Sequence, residues 1–422
     1  MSNAFSKEER VAFEDILEGF NDALVLSQNV SKYSIGTPGQ AERSDDLIWR
    51  PMPYIARTYD GTDQSSNFND YTQLSVPATV GFEKSAPWIM KATELRDALQ
   101  EGSLGKAAKQ KLASDVNVSV MNVAANQGTL IVKRTVAATG FDDAAECEAI
   151  FNEQGVNSYE RYLALATRDY NGMASNLASR ATMQGKPVSA YEKAFVGEVS
   201  SFSTFKLDYA NRIAAAAGGG ALTMDTQAAA VNYYTPVATR VATTGEKSNV
   251  DNRYQTITVS ATTSVVAGDC FTVAGVNAVH HITKGDTGQL KTFRVISNDS
   301  ATTLTISPPM ISNQGATDAE AQYQNVEITE SATAAIVFSN TVAAPINPFW
   351  QKDAIELIPS SYAVPIDAGA AIMRGTTDQG IELVMQKQYD INTMKTKFRC
   401  DIRFGVVNKQ PEMTGIMIFN QT

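Results

Sequence analysis

The sequence predicts an α+β protein whose mixed helical and stranded body is interrupted once by an all-β module. From Val241 to Ala344 the chain holds seventeen threonines and almost no helical periodicity. Short runs such as 254–259 and 293–296 carry β-branched residues at period two, and glycines and the Asn298–Ser300 turn separate them. This pattern is typical of strands joined by tight turns. Because helical or mixed patterns flank the module, it is an insertion, and insertions on a scaffold usually make contacts.

The first element of the body is an amphipathic helix, predicted over Lys7–Gln28. Its apolar residues recur at helical spacing and form one stripe: Phe13, Ile16, Leu17, Phe20 and Leu24. The acidic residues Glu14, Asp15 and Glu18 lie on the opposite face. Residues 44–80 then contain two strand patterns around a long polar middle, which predicts an extended β-hairpin.

The rest of the body alternates helical and stranded patterns, which indicates an α/β layer. The longest helical pattern runs over Ser103–Gln127, and Gly128 supplies its C-terminal stop. The other predicted elements are helices over Thr93–Leu99, Asp143–Asn152 (capped by Asp142), Arg168–Ser179 and Tyr191–Phe202, and strands over Arg161–Leu165, Glu382–Met385 and Phe398–Phe404.

Charge and cysteine content exclude several classes of protein. Acidic residues outnumber basic ones 45 to 35, for a formal net charge of −10, which argues against a surface that grips nucleic-acid phosphates. Cys147, Cys270 and Cys400 are odd in number and far apart, so neither a disulfide framework nor a zinc site is predicted. The charged N-terminal residues and the lack of a long apolar run predict neither a signal peptide nor a membrane span, and hence a reduced, cytosolic protein.

No catalytic, cofactor-binding or metal-binding residue is predicted. The two histidines, His280 and His281, are adjacent, so on a strand they would point to opposite faces and could not chelate one ion together. We expect them to be surface loop residues. Gly218–Gly220 lacks the strand-turn-helix setting of a dinucleotide loop and is interpreted as a linker. The acidic pairs, such as Asp142 with Asp143, are explained by helix caps and helix faces. The chain is therefore not predicted to be an enzyme.

Five stretches of the sequence resemble the major coat proteins of short-tailed, P22-like bacteriophages, which have the Hong Kong 97 phage capsid fold with an inserted β-barrel. The stretches span nearly the whole chain in the family's order. They are Leu47–Pro51, Thr93–Asp97, Lys111–Val116 with Ala124–Ile131, Gly245–Arg253 with Ser260–Thr263, and Asn347–Ile355 with Phe404–Val407.

The resemblance implies a division into parts of known roles. These are an N-terminal arm (1–38), an extended loop (39–82), a peripheral domain with a spine helix (83–137 and 386–422), an axial α/β domain (138–222 and 345–385) and an inserted β-barrel domain (223–344).

The resemblance also implies a function. The protein would assemble with itself as pentamers and hexamers into the icosahedral head of a tailed phage, with no cofactor and no membrane. A scaffolding protein would guide assembly in the bacterial cytoplasm, a portal protein would join the shell, and the virion would enclose DNA without sequence-specific binding.

Two sets of residues follow from the resemblance as contact sites. The acidic helix face of Glu14, Asp15 and Glu18 would receive the scaffolding protein. The loop over Val241–Arg253 would reach a neighbouring capsomer through Glu246, Lys247, Asp251 and Arg253, with Arg294 as a basic partner on a strand. The chain departs from the family here, because Ala242 and Thr244 stand where relatives carry acids before the glycine.

Two alternatives remain open at this stage. An encapsulin-like bacterial nanocompartment shell protein would share the body but lack an inserted β-module. An adhesive β-domain protein would account for Val241–Ala344 but would require a secretion signal. Sedimentation of the expressed protein as megadalton shells separates the shell proteins from the adhesin.

Overall fold

The structure is a computed structural model that describes residues 5, 7–33, 47–53, 55–65, 67–68, 71–91, 98–179, 196–217, 222–224, 233–262, 264–312, 317–328, 333–362 and 370–422. The chain divides into two compact units, each discontinuous in sequence. The first unit holds Met1–Ile48, Ala78–Asn122 and Ile355–Val407, and the second holds Trp49–Pro77, Val123–Ala354 and Asn408–Thr422.

The helices and strands of the described residues are numbered in chain order. The helices are α1 (Lys7–Ala23), α2 (Ala98–Gln127), α3 (Phe141–Gln154), α4 (Thr167–Ala178) and α5 (Asp318–Tyr323). The strands are β1 (Ser31–Lys32), β2 (Leu47–Pro51), β3 (Ser75–Thr79), β4 (Phe82–Lys91), β5 (Leu130–Lys133), β6 (Arg161–Ala166), β7 (Glu198–Val199), β8 (Phe202–Leu207), β9 (Arg212–Ile213), β10 (Thr239–Val241), β11 (Lys247–Asn249), β12 (Gln255–Thr258), β13 (Cys270–Val279), β14 (Asp286–Asn298), β15 (Thr303–Ser307), β16 (Val326–Ile328), β17 (Ile336–Phe338), β18 (Ala344–Pro345), β19 (Asn347–Gln351), β20 (Ile355–Pro359), β21 (Ala371–Thr376), β22 (Glu382–Asp390), β23 (Lys395–Asn408) and β24 (Thr414–Ile418).

The first unit is built on a sheet in the order β1-β20-β23-β22-β21, with β4 also paired to β23. Strands β22 and β4 are both antiparallel to β23, so β23 is held along both edges. Aromatic side chains directly opposite each other stack across the β4–β23 pair: Trp88 on Phe398 with ring centroids 5.5 Å apart, and Phe82 on Phe404 at 5.4 Å. Such cross-strand pairs fix the register of a sheet. The predicted strands over 382–385 and 398–404 are confirmed and are longer than predicted.

Helix α1 covers the edge strand β21 of this sheet. The predicted apolar stripe is confirmed, since Phe13, Ile16 and Phe20 are buried. A Cβ added to Gly375 of β21 would lie 2.6 Å from a Leu17 methyl group, so a larger residue here would force the Leu17 side chain to move. The predicted long helix is confirmed as α2, which ends before Gly128 as expected but begins earlier than predicted, at Ala98.

The second unit contains a mixed sheet in the order β5-β24-β19-β6-β8-β7. The β24–β5 and β6–β8 pairs are parallel, and β19 is antiparallel to both of its neighbours. Helices α3 and α4 supply the side chains that close its core, where Phe151, Phe202 and Phe349 meet with centroids 5.0 to 6.1 Å apart. The predicted strand at 161 and the predicted helix at 168 are confirmed.

The module predicted from the threonine-rich stretch is a sheet in the order β12-β15-β14-β13-β16, with β17 also paired to β13. Strands β13 and β14 form an antiparallel pair, and Phe271 stacks on Phe293 directly opposite at 5.7 Å. The module is not purely stranded, because α5 lies within it. The Thr317–Glu320 capping box, with the two side chains bonded to each other's backbone N–H, starts this helix.

Two short ladders complete the second unit. Strands β10 and β11 form a separate hairpin. Strands β9 and β18, where the chain enters and leaves the module, pair with each other, with Ile213 opposite Ala344. The two strand patterns of the predicted extended hairpin pair with each other as β2 and β3.

Several sequence predictions differ from the structure. Asp142 is exposed and lies inside α3, whose N-cap is Gly140. The buried Asp143 reaches back to this cap, and its carboxylate accepts the N–H groups of Thr139 at 2.6 Å and Gly140 at 3.0 Å. The helix predicted over Tyr191–Phe202 is wrong from residue 196 onward, where the chain forms β7 and β8, while 180–195 lie outside the described residues. The helix predicted at Thr93 lies outside them up to residue 97.

Strand pairing near the C-terminus crosses the predicted domain boundaries. Strands β20, β21 and β22 lie in the sheet with β4 and β23, although residues 345–385 were assigned with 138–222. Strand β24 pairs with β5 and β19 of the second unit, although residues 386–422 were assigned as one block. The strands themselves were predicted correctly at 382–385 and 398–404. The domain to which a strand belongs depends on the strands it pairs with, and a local sequence pattern does not reveal that pairing.

Candidate functional site

The hairpin of β10 and β11 is the first candidate contact surface. Residues 239–249 are all exposed. Thr239 faces Asn249 and Val241 faces Lys247, and the turn is closed by the Ala242 N–H donating to the Glu246 carbonyl at 2.9 Å. Gly245 has φ +86°, a conformation that favours glycine at this turn. The hairpin therefore presents Glu246 and Lys247 to solvent.

Asn252 holds the base of this hairpin. Its Oδ1 accepts the Val237 N–H at 3.1 Å, and its Nδ2 donates to the carbonyls of Val237 at 2.9 Å and Val250 at 3.0 Å. The Tyr234 hydroxyl donates to the same Oδ1 at 3.0 Å. One buried amide thus joins both legs of the hairpin, a role that the sequence analysis missed, because it considered only the charged residues of the loop.

Asp251 and Arg253 differ from the predicted picture of a contact pair facing a neighbour. Arg253 is 7 % exposed. Its Nε and Nη2 donate to the two Asp251 carboxylate oxygens at 2.9 and 2.7 Å, and its Nη1 donates to the Asn408 carbonyl at 2.9 Å. The guanidinium also lies over the Tyr254 ring, 5.1 Å from its centroid. Both charges are engaged within the chain.

Arg294 likewise differs from the prediction of an accessible basic partner. It lies on β14 and is 2 % exposed. Its Nη1 donates to the carbonyls of Ala125 and Gly128, the latter at 3.3 Å. These carbonyls are at the C-terminal end of α2, where helix carbonyls lack intrahelical donors and a cation is favoured. Burial lowers the pKa of the Arg294 guanidinium. Arg294 therefore anchors the module to the end of the long helix.

Thr292, two residues earlier on the same strand, adds to this anchor. Its hydroxyl donates to the Thr129 carbonyl at 2.7 Å. The same strand face thus satisfies three backbone carbonyls just after and within the last turn of α2. The alternation of polar side chains in a run otherwise rich in apolar and β-branched residues is the sequence signal for this contact.

The second predicted surface lies on α1. Glu14, Asp15 and Glu18 are all exposed, on the side of the helix opposite the buried Phe13 and Phe20. The structure therefore places the three acids on one accessible face, as the helical spacing predicts.

The histidine prediction is corrected. His281 is 7 % exposed rather than a surface residue, and burial lowers its pKa to about 4. Within the described part of the chain, no three His, Cys, Asp or Glu side chains come together so as to hold a metal ion. The three cysteines are buried thiols, and burial raises the pKa of Cys270 to about 11 and that of Cys400 to about 12. None of the described helices is long and apolar enough to cross a bilayer.

The features described so far are exposed surfaces and internal anchors. A comparison with protein families identifies the family. The family model described as "P22 coat protein - gene protein 5" matches residues 1–420, and the chain belongs to this family of phage coat proteins. The resemblance noted in the sequence is confirmed.

Solved structures similar to this chain include phage capsids. A structure described as "Mycobacterium phage Che8" is 8 % identical and covers 93 % of this chain and 90 % of that chain, with a TM-score of 0.42. The capsid structure of cyanophage P-SCSP1u is 10 % identical over 92 % of this chain and 85 % of that chain, with a TM-score of 0.43. The CUS-3 coat protein I-domain is 39 % identical over 28 % of this chain and 95 % of that chain, with a TM-score of 0.21.

Proposed function

We propose that this chain is the major capsid protein that assembles as pentamers and hexamers into the icosahedral head of a tailed bacteriophage. The observation that carries the proposal is the coat protein family match over residues 1–420. The test is expression of the chain with and without a candidate scaffolding protein, followed by sedimentation and electron microscopy. Closed shells with five-fold and six-fold capsomers are expected, and protein that stays monomeric under both conditions would contradict the proposal.

The proposed fold is of the Hong Kong 97 phage type, with corrected parts. The arm (1–38) and extended loop (39–82) remain as predicted. We assign α2 and the sheet that contains β4 and β20–β23 to the peripheral domain. We assign the sheet with the strand order β5-β24-β19-β6-β8-β7 to the axial domain. The module over 223–344 is proposed to be a barrel. A density map of the shell at side-chain resolution tests each assignment directly.

The acidic face of α1 is proposed to receive a basic segment of the scaffolding protein. Support comes from the exposure of Glu14, Asp15 and Glu18 on one side of the helix. The double variant Glu14→Lys, Asp15→Lys should reduce the scaffold content of procapsids, more strongly at low ionic strength than at high. The matched control is Glu153→Lys, which changes an exposed acid on α3. Equal scaffold content in the double variant and the control would contradict the proposal.

The β10–β11 hairpin is proposed to contact a neighbouring capsomer through Glu246 and Lys247. Support comes from its complete exposure and from the clamp at its base, which presents it as a defined arm. A single exposed ion pair contributes roughly 0–1 kcal/mol, but a shell repeats the contact in every subunit. Lys247→Glu should therefore give tubes or fragile shells. Electron microscopy would show the tubes, and heating the shells until they disassemble would show the fragility. Normal, heat-resistant shells would show that the hairpin is not a contact.

The interior of the shell is proposed to enclose DNA without sequence-specific binding, and a portal protein is proposed to occupy one vertex. The net charge of −10 supports weak attachment to DNA, since an acidic lining does not hold phosphates. Assembly would take place in the bacterial cytoplasm, and the final location would be the virion. An encapsulin-like compartment is the less favoured shell protein, because the family match extends through the inserted module.

A further inference from the structure

A buried ionic cluster joins the inserted module to the rest of the second unit. Lys291 on β14 is 1 % exposed and donates to the Glu412 carboxylate and to Gln154 Oε1, the latter at 2.8 Å. Asn325, just before β16, donates to the same Glu412 oxygen at 3.1 Å. Lys291 and Asn325 belong to the module, Gln154 is the last residue of α3, and Glu412 lies in a short 3₁₀ turn before β24.

His281 lies at the centre of this junction. It follows β13, and its backbone N–H donates to the Gln154 carbonyl at 3.2 Å, which attaches the turn to the end of α3. Its ring Nε2 is 3.5 Å from the second Glu412 oxygen. Neither ring nitrogen makes a hydrogen bond with the residues that the structure describes. The ring is thus buried in its neutral form beside a carboxylate that Lys291 already neutralises.

The other charged groups around the ring come from several elements. Lys291 faces it from β14, while Lys284 and His280 face it from the turn. Arg253, paired with Asp251, lines the same small cavity as the ring. Glu412 is the carboxylate whose field reaches the ring. A proton on His281 would therefore add another cation to Lys291 and Lys284 around one carboxylate, that of Glu412, at a site with little access to water.

The pKa values follow from this arrangement. Burial lowers the pKa of His281 to about 4; Glu412 opposes this shift, while the neighbouring cations add to it. Burial lowers the pKa of Lys284 to about 8. Burial alone would raise the pKa of Glu412, but the charge of Lys291 and the hydrogen bonds from Lys291 and Asn325 hold it below its ordinary value while His281 is neutral.

We propose that His281 and the Lys291–Glu412 pair form an acid-sensitive latch, which holds the inserted module on α3 and the 3₁₀ turn at neutral pH and opens when His281 takes up a proton. The sign follows from linkage. When the turn opens, His281 regains an ordinary affinity for protons, so the open form binds more protons than the closed form between pH 6.5 and pH 4. Acidification through this window therefore favours opening. The latch is a property of the folded subunit and does not depend on shell assembly.

The test is hydrogen exchange on the full-length, unassembled subunit at pH 7 and pH 5, corrected for the intrinsic pH dependence of amide exchange. This range stays above the ordinary pKa of glutamate and so isolates His281. The reporters are the amides of His281 and Lys284, which donate to backbone carbonyls. With one proton taken up on opening, their exchange should rise about 20-fold relative to pH 7. His281→Gln, neutral at both values, should show less than about a 2-fold change.

Two controls make the result specific. His280→Gln removes the ring acceptor of the Ile282 and Thr283 amides but should keep the rise at His281 and Lys284, and amides of the exposed β10–β11 hairpin should show none. A second measurement needs no substitution in the turn. The chain has two histidines, so selective isotope labelling gives two histidine ring signals whose titration can be followed by NMR. The His281 signal should stay neutral above pH 5. A midpoint near 6.5 with the turn still protected, or an equal pH response in wild type and His281→Gln, would overturn the proposal.

Discussion

Arg294→Met is the substitution that most directly tests how the inserted module is anchored. The methionine keeps an unbranched side chain of similar length but removes the donors that satisfy the Ala125 and Gly128 carbonyls. It also removes the positive charge that β14 places at the C-terminal end of α2. The subunit is therefore expected to fold with a lower free energy of unfolding in its second unit.

The magnitude follows from the two carbonyls. A buried carbonyl left without a donor costs about 1–3 kcal/mol, so the pair costs about 2–6 kcal/mol. Removal of a fully buried guanidinium relieves part of its desolvation penalty, which offsets some of this loss. We expect a net loss of about 2–4 kcal/mol. For a unit of this size, such a loss lowers the melting temperature by roughly 3–7 °C.

The assay is calorimetry of the unassembled subunit, with fluorescence of the buried Trp350 reporting on the second unit. Arg294→Lys should fall between wild type and Arg294→Met, since an ammonium retains the charge but not the fork of donors. The matched control is Arg240→Met on the exposed hairpin, which should change the melting temperature by less than about 2 °C. If Arg294→Met and Arg240→Met have the same melting temperature, the desolvation penalty of the Arg294 guanidinium cancels its hydrogen bonds, and this anchor contributes no stability.

Three further predictions follow from other contacts. Arg253→Glu should prevent the subunit from folding stably, because it puts a second acid beside Asp251 in a buried pair, whereas Lys247→Glu should leave circular dichroism and melting unchanged. Gly405→Ala should destabilise the first unit by about 3 kcal/mol in urea titrations, because its Cβ would lie 2.5 Å from a backbone oxygen; Gly81→Ala, which meets nothing within 4 Å, should be near neutral. Asp143→Ala should cost about 1–3 kcal/mol by the same measurement, since it removes one of the two carboxylates that pair with Arg134 and the acceptor of the Thr139 and Gly140 N–H groups.

Elements with strong local periodicity could be predicted from the sequence, and the reasons are physical. The α1 stripe is visible because each apolar side chain must reach the same face of one helix, a constraint that acts within one turn. Strands β22 and β23 are visible for the same reason at period two. Strand β4 was missed, because Lys84 stands on its packed face and Ile89 on its exposed face, so the two faces lack the apolar contrast that marks a strand.

The candidate site could be predicted only in part, because exposure depends on residues that are distant in sequence. Glu246 and Lys247 were correctly interpreted as exposed, since a polar turn with a glycine has no apolar face to bury. Arg294 was not, because its carbonyl acceptors lie 166 and 169 positions away. Glu412, the partner of Lys291, lies 121 positions away. A basic residue within a strand is usually solvated, and only the tertiary structure identifies the exceptions.

The pairing of β9 with β18 determines how this module can be exchanged. Because Ile213 lies opposite Ala344 in an antiparallel ladder, the points where the chain leaves and rejoins the body are separated by about one strand spacing, roughly 5 Å. The module therefore connects two adjacent strands of the body, as a tight loop would. Any folded domain whose two ends lie side by side could be grafted there without stretching the body. A short Gly-containing turn could close the same gap, and the carbonyls that end α2 would then be left to water. The β9–β18 pair thus makes this position a suitable site for inserting a fused domain that the subunit would display.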